Sequence, residues 1–156
     1  MKQFKHLGAY GLIIKNDKIV LIKKVGGPYN GKLDLPGGTI EWGETPDETL
    51  KRELNEEVGI EVIDYKLFDA NSVTFEWIHK EQLEKGHHLG IFYKVLSYKD
   101  EILEKINIDK QNDDSMGAKY YEINKLSKSE LSDIAILEIE SLGYKLKDWF
   151  ISYIIK

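Results

Sequence analysis

The sequence predicts an α/β fold, a mixed sheet covered by helices, and three observations carry that prediction. Apolar runs of strand length alternate with turn residues over most of the chain. Two segments carry helix caps and helical spacing. At 156 residues the chain has the length of about one ordinary domain, and no repeat, low-complexity tract or linker divides it. Residues 1–156 are therefore read as a single domain.

From the start, "LGAYGLIIK" and "IVLIKK" read as two strands joined by the polar turn "NDK". "VGGPYNGK" is a loop by its Gly, Pro and Asn content, and "LDLPGG" is a short strand stopped by Pro36 and two glycines. A helix is predicted from Pro46 to Val58. Thr45 is its N-cap, Pro46 suits the first helical position, Glu48 completes a Thr-x-x-Glu capping box, and Gly59 sits where a left-handed C-terminal cap belongs. Residues 61–80 and 87–98 read as strands, the second rich in aromatic and β-branched residues. Residues 99–118 are charged and read as loop, and "KYYEI" as a short strand. "SDIAILEIESLG" is a second helix, with Ser132 or Asp133 at its start and Gly143 as its stop. The apolar tail from Tyr144 is expected to continue as helix.

Net charge is −5 with His neutral, which argues against a stable nucleic-acid partner, since phosphate backbones are held by basic surface. A small phosphorylated substrate stays compatible if a bound cation brings the positive charge. Cysteine is absent, which excludes disulfides, zinc–thiolate sites and cysteine nucleophiles. No run approaches the ~18 apolar residues of a membrane span, and the first residues read as a strand rather than a signal peptide. The expectation is a soluble, cytoplasmic protein with no membrane partner.

The most informative segment is "GGTIEWGETPDETLKRELNEEVGI", residues 37–60. At about 100° per residue, Glu56 and Glu57 fall roughly 60° and 40° to either side of Glu53, so three carboxylates share one helix face. Leu50, Leu54 and Val58 form the adjoining apolar stripe that anchors the helix on a sheet. A solvated acidic face explains most charge runs, and it suffices for Glu48 or Glu61. It explains the triplet poorly, because close carboxylates on a rigid helix repel, whereas a hard divalent cation turns them into oxygen ligands. The sole arginine, Arg52, lies beside them and is in reach of Glu56 at i, i+4. Its planar fork fixes a carboxylate's orientation, which lysine cannot do.

Gly38, Glu44, Arg52, Glu53, Leu54, Glu56, Glu57, Gly59 and Ile60 have the spacing of the Nudix box, G-x5-E-x7-R-E-U-x-E-E-x-G-U, with no departure. The chain thus resembles the Nudix hydrolases. The resemblance implies an α/β/α sandwich around a mixed sheet, with the box as a loop–helix–loop, and hydrolysis of a nucleoside diphosphate linked to another group, X. It implies Mg²⁺ as cofactor, or Mn²⁺, held by Glu53, Glu56, Glu57 and the backbone carbonyl of Gly37 or Gly38. Arg52 would orient a box glutamate, Glu44 would support the site, and Glu53 or Glu57 would serve as base. The implied partner is a small nucleotide, either a nucleoside triphosphate of the 8-oxo-dGTP type or a nucleotide sugar such as ADP-ribose. A homodimer is left open.

Outside the box the candidates rest on position. Asp113 and Asp114 lie in an acidic loop where related enzymes often carry an extra ligand or base; acidic loops are also common. Lys23 and Lys24 end a strand, and Lys23 is placed toward a substrate phosphate. Asp34 is placed toward the nucleoside. His87 and His88 are adjacent in a strand, so they point to opposite faces and are not expected to act together. Trp42 lies in the box loop, where it would stack on a base or cover the helix start, and packing over the helix start is the expectation. Two other classes match less well: a Nudix-fold sensor that binds without cleaving, against which the intact glutamates speak, and an isoprenoid diphosphate isomerase, which would need a cysteine.

Overall fold

The computed structural model describes residues 1–100 and 115–147. Its elements, in chain order, are β1 (Lys2–Leu12), β2 (Ile14–Lys15), β3 (Lys18–Lys24), β4 (Leu33–Asp34), β5 (Gly37–Thr39), α1 (Pro46–Val58), β6 (Glu61–His79), β7 (Gln82–Lys99), β8 (Ser115–Glu122) and α2 (Asp133–Ser141).

Two sheets form. The first has the order β5-β1-β7-β6, with β1 and β7 parallel and the other pairs antiparallel. In the second, β3 pairs with β8 on one side and with β2 and β4 on the other. The apolar runs of β1 and β3 are buried on both faces, which is why they read as continuous rather than alternating. Ala9, Ile13, Val20 and Ile22 pack under the Leu50, Leu54 and Val58 stripe of α1. Their neighbours Tyr10, Leu12, Ile19 and Leu21 pack, with Phe92, against Ile134, Ala135 and Ile139 of α2. Each helix thus covers its own core, and the strands between them divide their side chains by alternation. This is the helix–sheet–helix layering expected from the sequence.

Helix α1 has the predicted bounds. Thr45 Oγ1 accepts from Glu48 N, and the Gly59 backbone is left-handed at φ 77°. The return half of the capping box is not made among the described residues; the Thr45 hydroxyl donates to Asp47 Oδ1 instead, at 2.6 Å. Ser132 caps α2 by accepting from Ala135 N.

Other boundaries differ. β1 starts at Lys2 rather than Leu7, because parallel pairing with Glu84–Lys94 draws its polar first residues into the ladder. β6 and β7 form one long hairpin through Lys80 and Glu81, both at positive φ. β8 begins at Ser115, inside the segment read as loop, because β3 offers it a full edge from Lys18 to Lys24. Residues 144–147 are not helical, and the remainder of the expected tail helix lies outside the described residues. Among the described residues no helix is long and apolar enough to cross a membrane.

Candidate active site

The loop β5–α1 and the first turns of α1 bring the box residues together. β5 hangs on β1 by the pairs Tyr10 with Gly37, Ala9 with Gly38 and Gly8 with Thr39. Gly37 has φ 143°, and a Cβ there would stand 2.2 Å from the Ala9 carbonyl oxygen, so only glycine fits. At Gly38 a Cβ would stand 2.6 Å from Glu53 Oε1. The missing side chain therefore lets the Glu53 carboxylate lie directly against the strand backbone.

Arg52 organises the acidic side chains. Its Nε donates to both carboxylate oxygens of Glu44, at 3.2 and 3.1 Å, and Nη2 donates to Glu44 Oε1 at 2.9 Å. Nη1 donates to Glu53 Oε1 at 3.0 Å, and Nη2 to the Thr39 carbonyl at 3.2 Å. The expected i, i+4 contact with Glu56 is the longest of the hydrogen bonds, at 3.5 Å, and Glu56 is half exposed. The chief partner is Glu44, which the loop folds back over the first turn of α1.

Glu44 is held in turn by Thr49 Oγ1 at 3.2 Å and by the Glu41 backbone N–H at 3.2 Å. The hydrogen bonds from Arg52, and then its charge, hold the Glu44 carboxyl below the usual range, with smaller help from Glu41 and Thr49. The same bonds raise the guanidinium of Arg52. Glu57 is buried on α1 at 7% exposure, beside the Leu54 and Val58 stripe.

The carboxylates of Glu44, Glu53 and Glu56 gather around Arg52 in this corner, and carboxylate oxygens suit a hard divalent cation. The close approach of Glu53 to Gly38 brings one such carboxylate directly against the strand backbone. As the side chains stand, no three acidic or imidazole groups among the described residues are gathered tightly enough to hold a metal ion. Glu53 is instead turned to Arg52.

The remaining sequence candidates fall in different places. Asp113 and Asp114 lie outside the described residues. Lys23 is exposed, and Lys24 rather than Lys23 lines a cavity between β1, β7 and the β3–β4 loop. Asp34 also lines that cavity, is 3% exposed, and accepts from Ser132 Oγ at 2.6 Å and from Leu35 N at 2.8 Å. Trp42 does not pack over the helix start: it is fully exposed, because the loop turns its side chain away from both cores.

A family model for the NUDIX domain matches residues 5–140. The chain belongs to the Nudix family. Among curated relatives, the ADP-ribose pyrophosphatase of Methanocaldococcus jannaschii is 32% identical over 119 residues, 76% of this chain and 62% of that protein. The 8-oxo-dGTP diphosphatase of Escherichia coli is 41% identical over 62 residues, 39% of this chain and 48% of that protein. The chain thus spans about half to three fifths of these relatives' lengths. A MutT Nudix hydrolase structure from Burkholderia pseudomallei superposes with TM-score 0.67 at 21% identity, covering 88% of this Nudix chain and 97% of the other. At that identity the likeness concerns the fold.

Two features of this Nudix chain had weak signals in its sequence. His88 is buried on β7 among Gly86, Gly90 and Phe92, every second residue. That spacing marks a buried face. Glu138 is 0% exposed, in helical phase with Ile134, Ala135 and Ile139. A carboxylate at an apolar position of an otherwise amphipathic helix was the clue.

Proposed function

We propose that the chain is a divalent-metal-dependent hydrolase that cleaves the diphosphate linkage of a nucleoside diphosphate joined to a group X. The observation that carries this reading is the complete Nudix box with its supporting geometry: Glu53 against Gly38, and Arg52 forked between Glu44 and Glu53. Glu53, Glu56 and Glu57, with a backbone carbonyl of Gly37 or Gly38, hold Mg²⁺ or Mn²⁺. A divalent ion held there would supply charge neutralisation at the phosphoryl oxygens and would make a water more acidic. Glu44 fixes Arg52, and Arg52 fixes the Glu53 carboxylate through one oxygen. Glu53 or Glu57 accepts the proton of the attacking water. Lys24 supplies positive charge near the substrate.

X is an ADP-ribose-type nucleotide sugar or completes an 8-oxo-dGTP-type triphosphate. The longer of the two curated matches, to the M. jannaschii ADP-ribose pyrophosphatase, supports the first. The test is a panel of nucleotide sugars and (deoxy)nucleoside triphosphates with Mg²⁺, products read by mass. Hydrolysis at a diphosphate bond is expected. Binding without any release of phosphate or pyrophosphate would make the chain a sensor instead.

A further inference from the structure

β6 forms one edge of the first sheet: among the described residues it pairs with β7 alone. It is 19 residues long, whereas β5, at the opposite edge, has 3. Natural edge strands are kept from pairing with other chains by bulges, lysines or proline. The first half of β6 follows that rule. Its register against β7 shifts between Val62 and Asp64, between Asp64 and Tyr65 and between Leu67 and Asp69, and it carries Lys66. The second half, Asp69–His79, has none of these devices. Its register runs unbroken, it contains no Lys, Pro or Gly, and Val73, Thr74, Phe75, Trp77 and Ile78 all favour strands.

Two side chains mark what this edge binds. The Ala70 N–H donates to Asp69 Oδ1 at 2.9 Å, and the Ser72 N–H donates to Asn71 Oδ1 at 2.9 Å. In an antiparallel ladder, residues alternate between those bonded to the partner strand and those whose N–H and C=O face away. Ala70 and Ser72 therefore face away from β7. Thr74, Glu76 and Ile78 share their phase, and all five are exposed. The oxygens of Asp69 and Asn71 stand in for the carbonyls of a neighbouring strand.

The stretch is also complementary to itself. Two copies pair antiparallel about a two-fold axis normal to the sheet. That axis passes through a residue, because partners across a ladder point to one face and faces alternate along a strand. Thr74 is the midpoint of Asp69–His79, so only there does the whole regular stretch pair. An axis nearer Asp69 runs His79 onto the bulged half, and one nearer His79 runs Asp69 into the turn at Lys80 and Glu81. With the axis at Thr74, Asp69 faces the His79 imidazole of the second copy, Val73 faces Phe75, and Thr74 faces itself. These are favourable cross-strand pairs. Glu76 faces Ser72, so no carboxylate opposes another.

We propose that β6 is a self-association surface: two copies of the chain pair antiparallel through Asp69–His79 about an axis at Thr74 and join their first sheets into one. The edge amides of Ala70 and Ser72 then bond the backbone of the second copy, and the Asp69 carboxylate turns to its His79.

The chain has no cysteine, so one introduced thiol reports the register. Thr74→Cys sets a sulfur opposite its own copy, across Cα atoms about 5.5 Å apart, within disulfide reach. Ser72→Cys offsets the two sulfurs by four residues of strand, about 14 Å, beyond that reach. Under mild oxidation, Thr74→Cys is expected to give a covalent dimer and Ser72→Cys none on the same time scale. Sedimentation equilibrium of the full chain from about 1 to about 500 µM is expected to show a dimer with a micromolar dissociation constant, as for a small interface. Thr74→Lys puts two ammonium groups across the axis at an exposed position. It should weaken the dimer about 10-fold or more and leave the melting temperature of the dilute protein unchanged. Ser72→Lys meets Glu76 of the second copy and should tighten the dimer about 2- to 5-fold at low salt. Wild type that stays monomeric at every concentration overturns the proposal. So does a dimer that Thr74→Lys leaves intact, since another surface then joins the copies. Cross-linking of Ser72→Cys as fast as Thr74→Cys overturns the register.

Discussion

Arg52 grips both carboxylate oxygens of Glu44, from Nε at 3.2 and 3.1 Å and from Nη2 at 2.9 Å, while its Nη1 holds Glu53. Three nitrogens of one planar group are committed to three carboxylates and a backbone carbonyl, a geometry an ammonium cannot reproduce. Arg52→Lys is therefore expected to lower turnover by about 10-fold or more, through a displaced Glu53. The helix should survive, because lysine is nearly as good a helix former. Glu44→Gln should lose turnover in parallel, and the double variant should be less than additive. Near-wild-type turnover with Arg52→Lys would reduce the arginine to a surface residue.

Glu57→Gln is expected to remove most activity, on the order of 10³-fold, without lowering the melting temperature. Its side chain is buried against the apolar stripe of α1, and Gln keeps the shape while losing the charge. Activity within a few-fold of wild type would remove Glu57 from the site.

Gly38→Ala is a geometric test of the same corner. The added methyl would meet Glu53 Oε1 at 2.6 Å, the end of a flexible side chain, so the protein should fold and the carboxylate should move. Turnover and metal affinity should both fall while melting changes little. Gly37→Ala differs: its Cβ meets the Ala9 backbone oxygen, and it should destabilise β5 itself. Equal behaviour of the two variants would contradict the geometry.

Added Mg²⁺ or Mn²⁺ should raise the melting temperature, because an ion that binds only the folded site stabilises it by mass action. Ca²⁺ should stabilise without supporting turnover. Glu53→Gln, Glu56→Gln and Glu57→Gln should each shrink the rise. Since Arg52 Nη1 holds Glu53 in place, Arg52→Lys should shrink the rise as well. A flat melting curve across a wide range of Mg²⁺ would rule the site out.

Burial and the neighbouring Asp69 carboxylate push Glu138 up to about 8. The folded state thus holds this proton where the unfolded chain, near the ordinary value of 4.5, releases it. Stability from this group is complete below about 4.5 and is lost as pH rises toward about 8, because the folded state binds more protons over that range. Glu138→Gln should therefore raise the melting temperature at pH 8 more than at pH 5. An equal effect at both values would place the Glu138 carboxyl in water.

What could be read from the sequence follows the range of the forces involved. Thr45, Pro46 and Gly59 act within a turn of themselves, so α1 was legible to the residue, as was its apolar stripe. Arg52 was recognised, yet its main partner was not: Glu44 precedes the helix and returns to it only through the loop, beyond any i, i+4 rule. β8 and the polar start of β1 carry little strand signal of their own and are strands because a neighbour offers an edge. Trp42 was expected to cover the helix start and is instead fully exposed, because direction in a loop is set by backbone geometry that residue type does not encode. His88 and Tyr10 meet only after distant strands pair, and Lys24 takes the cavity wall where Lys23 was expected, a matter of which way one strand end turns.

The parallel pairing of β1 with β7 has a consequence in the order of folding. Lys2–Leu12 bonds to Glu84–Lys94, so a contact between distant parts of the chain must close before β1 has that partner, and closing long loops is slow. β5, carrying Gly37 and Gly38, is in turn tied to the sheet through β1. The caps of α1 are local to it, whereas the strand that faces Glu53 depends on β1 for its place. The corner where Glu53 meets Gly38 is therefore expected to be complete only once the β6–β7 hairpin has given β1 its partner.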